Sequence, residues 1–176
     1  KVTMTYSTTN DLLRTTDAMG YTTNYTYDDR GNLVKVEQPE GVTSTMEVNA
    51  KGLVTKTTDP MGVETKYEYN GYGNVTKILL TSLNLQTRLE YDLASRITAA
   101  YDPLDRKQTY TYDNNDNLLT EVDPLNNTTK YGYDKNDNLT TVTNAKGNAT
   151  TMTYDNATDW LLSVKFGSSS KKYEYN

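Results

Sequence analysis

Seven Asx residues, Asp28, Asn49, Asn70, Asp92, Asp113, Asp134 and Asp155, recur along this chain at one fixed place after a tyrosine or valine. Carboxylates repeated at even spacing could work as acid–base pairs or bind calcium. The slot also accepts Ser7, Asn49 and Asn70, however, and no Asp-x-Asp-x-Asp-Gly loop with a late Glu follows it, so the metal reading fails on ligand chemistry. Asx side chains bond their own backbone in turns, and that is the role read here. The second chemical candidate is a set of aromatic residues, Tyr25, Tyr67, Tyr110, Tyr131 and Tyr173, each two residues before another tyrosine. Tyr has a flat apolar face and a polar hydroxyl, which suits sugar stacking; the alternative is cross-strand packing, which their regularity favours. Ser95, Ser163 and Ser168 have no histidine to activate them, because the chain has none, and no Gly-x-Ser-x-Gly elbow or phosphate loop appears. No catalytic residue, cofactor site or metal site is therefore expected.

Composition narrows the remaining classes. One Phe and one Trp stand against sixteen Tyr among 176 residues, and the mean hydropathy is -0.80. Amphipathic rings in such a wet chain suit a thin sheet better than a thick core. A net charge of -5 with no basic cluster argues against nucleic acid. The absence of cysteine excludes disulfides and thiolate metal sites. There is no apolar run of about 20 residues, so no membrane insertion is expected, and Lys1 opens no signal-like segment.

The elements that must position these residues follow from a repeat. One slot falls at Tyr6, Tyr27, Val48, Tyr69, Tyr91, Tyr112, Tyr133, Tyr154 and Tyr175, spaced by 21 residues with a single step of 22. Such a period marks an array of one small unit, predicted to run continuously over residues 1–176 as about eight units, cut at both ends. Before each slot, apolar and polar residues alternate, as in Tyr25-Thr-Tyr27 and Tyr67-Glu-Tyr69, which is the period of a half-buried strand. After it come the Asx and, three residues on, Gly31, Gly52, Gly73, Ser95, Asp116 or Asp137, a hairpin turn with a residue suited to positive φ. A second strand opens on Leu12, Leu33, Val54, Val75, Ile97, Leu118, Leu139 or Trp160. It closes at turns such as Asp59-Pro-Met-Gly62 and Asp123-Pro-Leu-Asn126, whose Asp, Pro and Gly favour a type I turn; all four prolines, Pro39, Pro60, Pro103 and Pro124, sit there.

Two strands and two turns per unit predict an all-β antiparallel meander of about 16 strands, spanning roughly 75 Å at about 4.8 Å per strand. Open twisted sheets rarely exceed about 10 strands without curling, so this ribbon is expected to curl or spiral. The irregular places are Leu79 to Asn84, which holds the extra residue, and the unit after Tyr154 with its Gly167 to Ser170 run.

The segments Tyr27-Asp-Asp-Arg-Gly-Asn-Leu33, Tyr112-Asp-Asn-Asn-Asp-Asn-Leu118 and Tyr133-Asp-Lys-Asn-Asp-Asn-Leu139, with Asp-Pro-x-Gly turns between them, resemble the Rhs or YD-repeat family over essentially the whole chain. On that resemblance Tyr27, Asp28, Gly31, Asn32, Tyr69, Asn70, Gly73, Tyr91, Asp92, Tyr112, Asp113, Tyr133, Asp134, Tyr154 and Asp155 are the structural motif positions. The family implies a hairpin ribbon wound into a hollow shell, which in its toxin members holds a C-terminal effector. The family's self-cleavage segment, Pro-x4-Asp-Pro-x-Gly, is absent: Val54 and Leu118 stand five residues before Asp59 and Asp123.

Two function classes remain. One is a segment of toxin-encapsulating shell, secreted or at the surface or wall of a bacterial cell, with neighbouring repeats and an effector as partners. The other is an adhesion module that binds cell-surface glycans through its tyrosine-rich faces. Association of the isolated ribbon through its edges or uncovered face is also expected. The Asn-x-Thr sequons at Asn24, Asn74, Asn126, Asn127, Asn138, Asn148 and Asn156 follow from the composition of the turns and are silent in a bacterial protein.

Overall fold

Thr, Val and Tyr, which favour a pleated backbone, dominate the runs between turns. In the computed structural model, which describes residues 1–175, they form seventeen strands, and the described residues contain no α-helix. Two compact units divide the chain, the first from Lys1 to Arg88 and the second from Leu89 onward. The first holds β1 (Thr3–Tyr6), β2 (Leu12–Thr16), β3 (Thr22–Tyr27), β4 (Leu33–Glu37), β5 (Thr43–Val48), β6 (Val54–Thr58), β7 (Glu64–Tyr69) and β8 (Val75–Leu80). The strand β9 (Leu85–Tyr91) contains the division, and its first residues pair antiparallel with β8. The second unit continues with β10 (Ile97–Tyr101), β11 (Lys107–Tyr112), β12 (Leu118–Val122), β13 (Thr128–Tyr133) and β14 (Leu139–Thr143). It ends with β15 (Ala149–Tyr154), β16 (Leu161–Phe166) and β17 (Ser169–Lys172). Within each unit successive strands pair antiparallel, as an up-and-down meander requires.

Register fixes two faces. In the first unit Tyr25 lies opposite Val36, Met46 opposite Thr57 and Tyr67 opposite Ile78. Intervening residues form the other face, where Thr26 meets Lys35, Glu47 meets Lys56 and Glu68 meets Lys77. The second unit repeats the division, with Tyr131 opposite Val142 on one face and Thr111 opposite Thr120 on the other. Only Ala99, 2% exposed, is fully buried among the described residues. Apolar groups are instead half-covered by same-face neighbours, as in a stack that has no central core.

Both kinds of turn adopt one geometry. The Asp28 N–H donates to the Asn32 carbonyl at 2.9 Å and the Gly31 N–H to the Asp28 carbonyl at 3.0 Å; the Asp59 turn repeats this with Val63 and Gly62 at 3.0 and 2.9 Å. The fourth residue is left-handed in each, Gly31 at φ 81° and Gly62 at φ 79°, giving a type I turn closed by a glycine bulge. Where Gly is replaced, Ser95, Asp105, Asp116, Asn126 and Asp137 still take φ between 59° and 69°.

Three details differ from the sequence reading, and a fourth agrees with it. Gln38 is one methylene longer than Asp or Asn and caps no turn with its side chain; there Glu40 itself swings to φ 65°. The turn after Tyr154 is wider, with Asp155 N–H bonded to the Trp160 carbonyl at 2.8 Å, so the next strand opens on Leu161 rather than Trp160. The Gly167 to Ser170 run is a tight hairpin rather than an irregular loop: Gly167 at φ 56° lets Phe166 pair with Ser169, and the resulting β17 takes the count past 16. The extra residue near Leu79 to Asn84 does produce an irregular connection, a single 3-10 turn at Thr81–Leu83 ended by Asn84 at φ 50°.

Candidate functional site

Each hairpin slips register by one residue at the tyrosine slot, for example between Thr26 and Tyr27, Glu68 and Tyr69, and Gly132 and Tyr133. A bulge re-aims the side chain beside it. Here it sends the phenol back across the preceding hairpin to a main-chain carbonyl. Tyr27 donates to the Leu12 carbonyl at 3.0 Å, Tyr69 to Val54 at 2.6 Å and Tyr112 to Ile97 at 2.9 Å. Tyr133 reaches Leu118 at 3.1 Å, Tyr154 reaches Leu139 at 2.9 Å and Tyr175 reaches Leu161 at 2.8 Å. Every acceptor is the first residue of a strand in the preceding repeat, so the slot tyrosine is a staple between repeats. Val48 has no hydroxyl and leaves the Leu33 carbonyl without one. Burial raises the phenol pKa of Tyr69, Tyr91, Tyr112 and Tyr133, which keeps these groups neutral.

The Asx residues close their own turns. Asp28 Oδ1 accepts the N–H groups of Arg30 and Asn32, both at 2.9 Å, and Asn70 Oδ1 accepts those of Tyr72 and Asn74, both at 3.0 Å. The same pair of bonds recurs at Asp92, Asp113 and Asp134. Because Oδ1 accepts from backbone in either residue type, Asp and Asn are interchangeable here. Side-chain donors add to this. The Asn32 amide, followed by its backbone N–H, lowers the Asp28 pKa; the Arg96 backbone N–H and then its guanidinium lower that of Asp92; the Thr158 hydroxyl leads at Asp155. At Asp113 and Asp134 partial burial is the largest single influence and pushes upward, but the hydrogen bonds from Asn117 and Asn115, or from Asn138 and Asn136, with the nearby Arg96 or Lys135 charge, outweigh it and the pKa falls.

Sequence reasoning missed a second link between turns. Asn115 and Asn117 both donate to Asp137 Oδ1, at 3.0 and 2.6 Å, and Asn136 and Asn138 both donate to Asp159 Oδ1, at 2.7 and 2.8 Å. The Arg96 guanidinium likewise bonds Asp116 at 2.8 Å and the Asp113 carbonyl at 2.7 Å. Asp116 and Asp137 stand in the glycine slot, but sequence alone gives no rule for the link, since Asn32 and Asn74 occupy the place of Asn117 and are followed by Gly52 and Ser95. The staple acceptors lie fifteen residues before most of the slot tyrosines.

The tyrosines considered for sugar stacking do not converge on one cleft. Tyr25 and Tyr67 lie half-buried on the sheet face, and their hydroxyls have no protein partner among the described residues. Tyr131 donates to Glu121 Oε2 at 3.0 Å, while Tyr110 sits opposite Glu121, whose carboxylate also takes the Gln108 amide. Tyr173 is covered by the Lys171 ammonium, 5.0 Å from its ring centre. On the opposite face of the first unit, Lys56 lies between Glu47 at 2.6 Å and Glu64 at 3.1 Å, and Lys77 meets Glu68 at 2.9 Å. These exposed pairs keep that face wet and contribute little stability. No cluster of three or more His, Cys, Asp or Glu suited to a metal occurs among the described residues.

Comparison with known proteins agrees with this geometry. A family model described as RHS Repeat matches residues 6–43, 48–82, 91–128, 112–149 and 133–168. Among solved structures, the chain is similar to the Tc holotoxin pore of Photorhabdus luminescens at a TM-score of 0.74 and 20% identity, covering 92% of this chain and 10% of that one. It is also similar to a TcdB2–TccC3–Cdc42 structure (TM-score 0.75, 20% identity, 91% of this chain and 10% of that one). A TcdB2–TccC3 structure without its hypervariable C-terminal region gives TM-score 0.80 and 14% identity, over 99% of this chain and 11% of that one. This chain thus spans about a tenth of those proteins, and the likeness shows the fold. Among curated protein sequences nothing matches the chain.

Proposed function

The chain belongs to the RHS repeat family, and from that premise we propose that it is a stretch of shell wall enclosing a C-terminal effector of its parent protein. The observation that carries this reading is the staple. The tyrosine hydroxyls of Tyr27, Tyr69, Tyr112, Tyr133 and Tyr154 are each tied to the backbone of the preceding repeat, and the Asx carboxyl and amide groups are tied to their own turns. The most regular polar side chains therefore hold the ribbon together instead of converging on a substrate. A wall needs such a surface, and the likeness to TcdB2–TccC3 supports placing this segment in one. Its partners are then flanking repeats and the enclosed chain, and its place is outside a bacterial cell or on its surface.

The test uses the full parent protein. Limited proteolysis should leave the region after the repeats intact while the array is folded, and should release it to digestion once the array is opened by denaturant. A downstream region digested at the same rate in both states would refute encapsulation while leaving the repeat assignment untouched. Glycan contact, the second reading, draws on Tyr25 and Tyr67, whose hydroxyls remain available on an open face. Glycan-array binding that is lost on Tyr67→Ala would favour it.

A further inference from the structure

Asn70 is the one asparagine of the chain that a glycine follows. It holds the Asx slot after Tyr69, and its Oδ1 accepts the Tyr72 and Asn74 N–H groups, both at 3.0 Å. The first of these bonds closes an Asx turn, which bends the carboxamide back toward the main chain at Gly71. Gly71 is exposed, and its N–H has no protein partner among the described residues. A β-carbon at Gly71 would meet nothing within 4 Å, so the approach to its nitrogen is open. We infer that Asn70 is a deamidation site, at which the Gly71 nitrogen closes a cyclic imide on the Asn70 side chain and water opens it to aspartate or isoaspartate.

Hydroxide removes the Gly71 amide proton, and the nitrogen forms a bond to Asn70 Cγ as the carbonyl electron pair moves onto Oδ1. Collapse of that oxyanion breaks the Cγ–Nδ2 bond, and Nδ2 takes a proton from water and leaves as ammonia. Water then adds to one of the two imide carbonyl carbons and breaks its bond to the Gly71 nitrogen. Addition at Cγ gives aspartate, and addition at the main-chain carbonyl carbon gives isoaspartate. The turn favours ring closure in three ways. The Tyr72 and Asn74 N–H groups already bond the oxygen on which charge develops, at the distance an oxyanion hole requires. The Lys51 ammonium, 3.1 Å from the Gly71 carbonyl, sets a positive charge near the nitrogen that must lose a proton. Glycine also permits a close approach that a β-carbon would obstruct. Asn49 and Asn144 provide the internal comparison. Each accepts the same two backbone N–H bonds, at 2.9 and 3.1 Å for Asn49 and both at 3.0 Å for Asn144, but Ala50 and Ala145 follow them. Aspartate at position 70 refits a slot that Asp28 and Asp92 fill with the same bonds. Isoaspartate adds one main-chain atom between Tyr69 and Val75, which pair across the hairpin, and so loosens β7 against β8.

Peptide mapping by mass spectrometry of the whole chain, held folded at mildly alkaline pH, tests this. Asn70 should gain about one mass unit first, and Asn49 and Asn144 should convert roughly tenfold or more slowly. Gly71→Ala should slow Asn70 to the rate of Asn49. That variant keeps the fold, since Gly71 is not left-handed and has open space around its β-carbon position, and circular dichroism identical to wild type will confirm it. Hydrogen exchange should be unchanged in Asn70→Asp and faster at β7 and β8 in the isoaspartyl fraction. Conversion of Asn70 no faster than that of Asn49 and Asn144 overturns the inference. So does conversion undiminished in Gly71→Ala, because ammonia would then be lost by direct hydrolysis without the Gly71 nitrogen.

Discussion

Removing one phenolic oxygen should loosen one hairpin and nothing else. Tyr69 and Tyr67 occupy the same strand and face, but only Tyr69 has a protein acceptor, the Val54 carbonyl at 2.6 Å. Tyr69→Phe and Tyr67→Phe therefore delete the same atom from neighbouring sites, one with a hydrogen bond and one without. A buried or half-buried neutral hydrogen bond is worth about 0.5–1.5 kcal/mol net, and Val54 is half-buried, so water replaces part of what is lost. The expected difference is about 1 kcal/mol, or roughly a fivefold change in the local opening equilibrium. In a stacked array that cost falls on adjacent repeats first. Native-state hydrogen exchange should show the amides of β6 and β7 opening about fivefold faster in Tyr69→Phe, with Tyr67→Phe near wild type. Equal acceleration in both variants would show that ring packing, not the staple, carries the contact.

Other expectations follow from the same geometry. Val48→Tyr restores the missing phenol opposite the Leu33 carbonyl and should stabilise by about 1 kcal/mol in chemical denaturation. Gly73→Val should destabilise by about 1–3 kcal/mol, since Gly73 sits at φ 91°, whereas Asp29→Val on an exposed tip should cost far less in thermal melts. In acid, the folded pKa values of Asp28, Asp92 and Asp123 lie below the unfolded value of about 3.9, so their stabilisation is complete above that pH and is lost as pH falls through the folded values. Melting temperatures should accordingly drop below about pH 4, and Asp28→Asn should flatten that dependence. In alkali the sign reverses: the raised pKa values of Tyr69, Tyr112 and Tyr133 give stability that is full below about pH 10 and lost as pH rises through the folded values. Tyrosinate absorbance should therefore rise together with loss of the β-sheet circular dichroism signal.

Much of the fold was legible because the side-chain alternation, the Asx and the glycine slots each encode a local preference, and local preferences repeated in phase leave one register. Hence the strands beginning at Leu12, Leu33, Val54 and Leu118 start where the pattern places them. The start of β16 was misplaced at Trp160 because one added turn residue shifts a boundary without altering the tyrosine spacing. The candidate site was legible in its membership but not in its bonds. That Asp28 caps a turn follows from its chemistry, whereas the reach of Tyr27 to Leu12 depends on a bulge that spacing alone does not announce. The carboxylate of Asp137 read as a replacement for glycine; its two asparagine donors come from the preceding turn, a contact across repeats that a residue-by-residue reading does not join.

The one added residue between Tyr69 and Tyr91 is absorbed by the 3-10 turn at Thr81–Leu83, at the edge away from the tyrosine turns. An added residue at that edge lengthens a connection, and at the tyrosine edge the wider turn after Tyr154 moves the strand start to Leu161, whose carbonyl Tyr175 still reaches at 2.8 Å. Unequal recombination between repeats adds or removes whole hairpin pairs in frame with the staples, and single added residues are taken up in the turns. Length becomes a heritable quantity that varies in quanta of two strands, about 10 Å each, without any core to be redesigned.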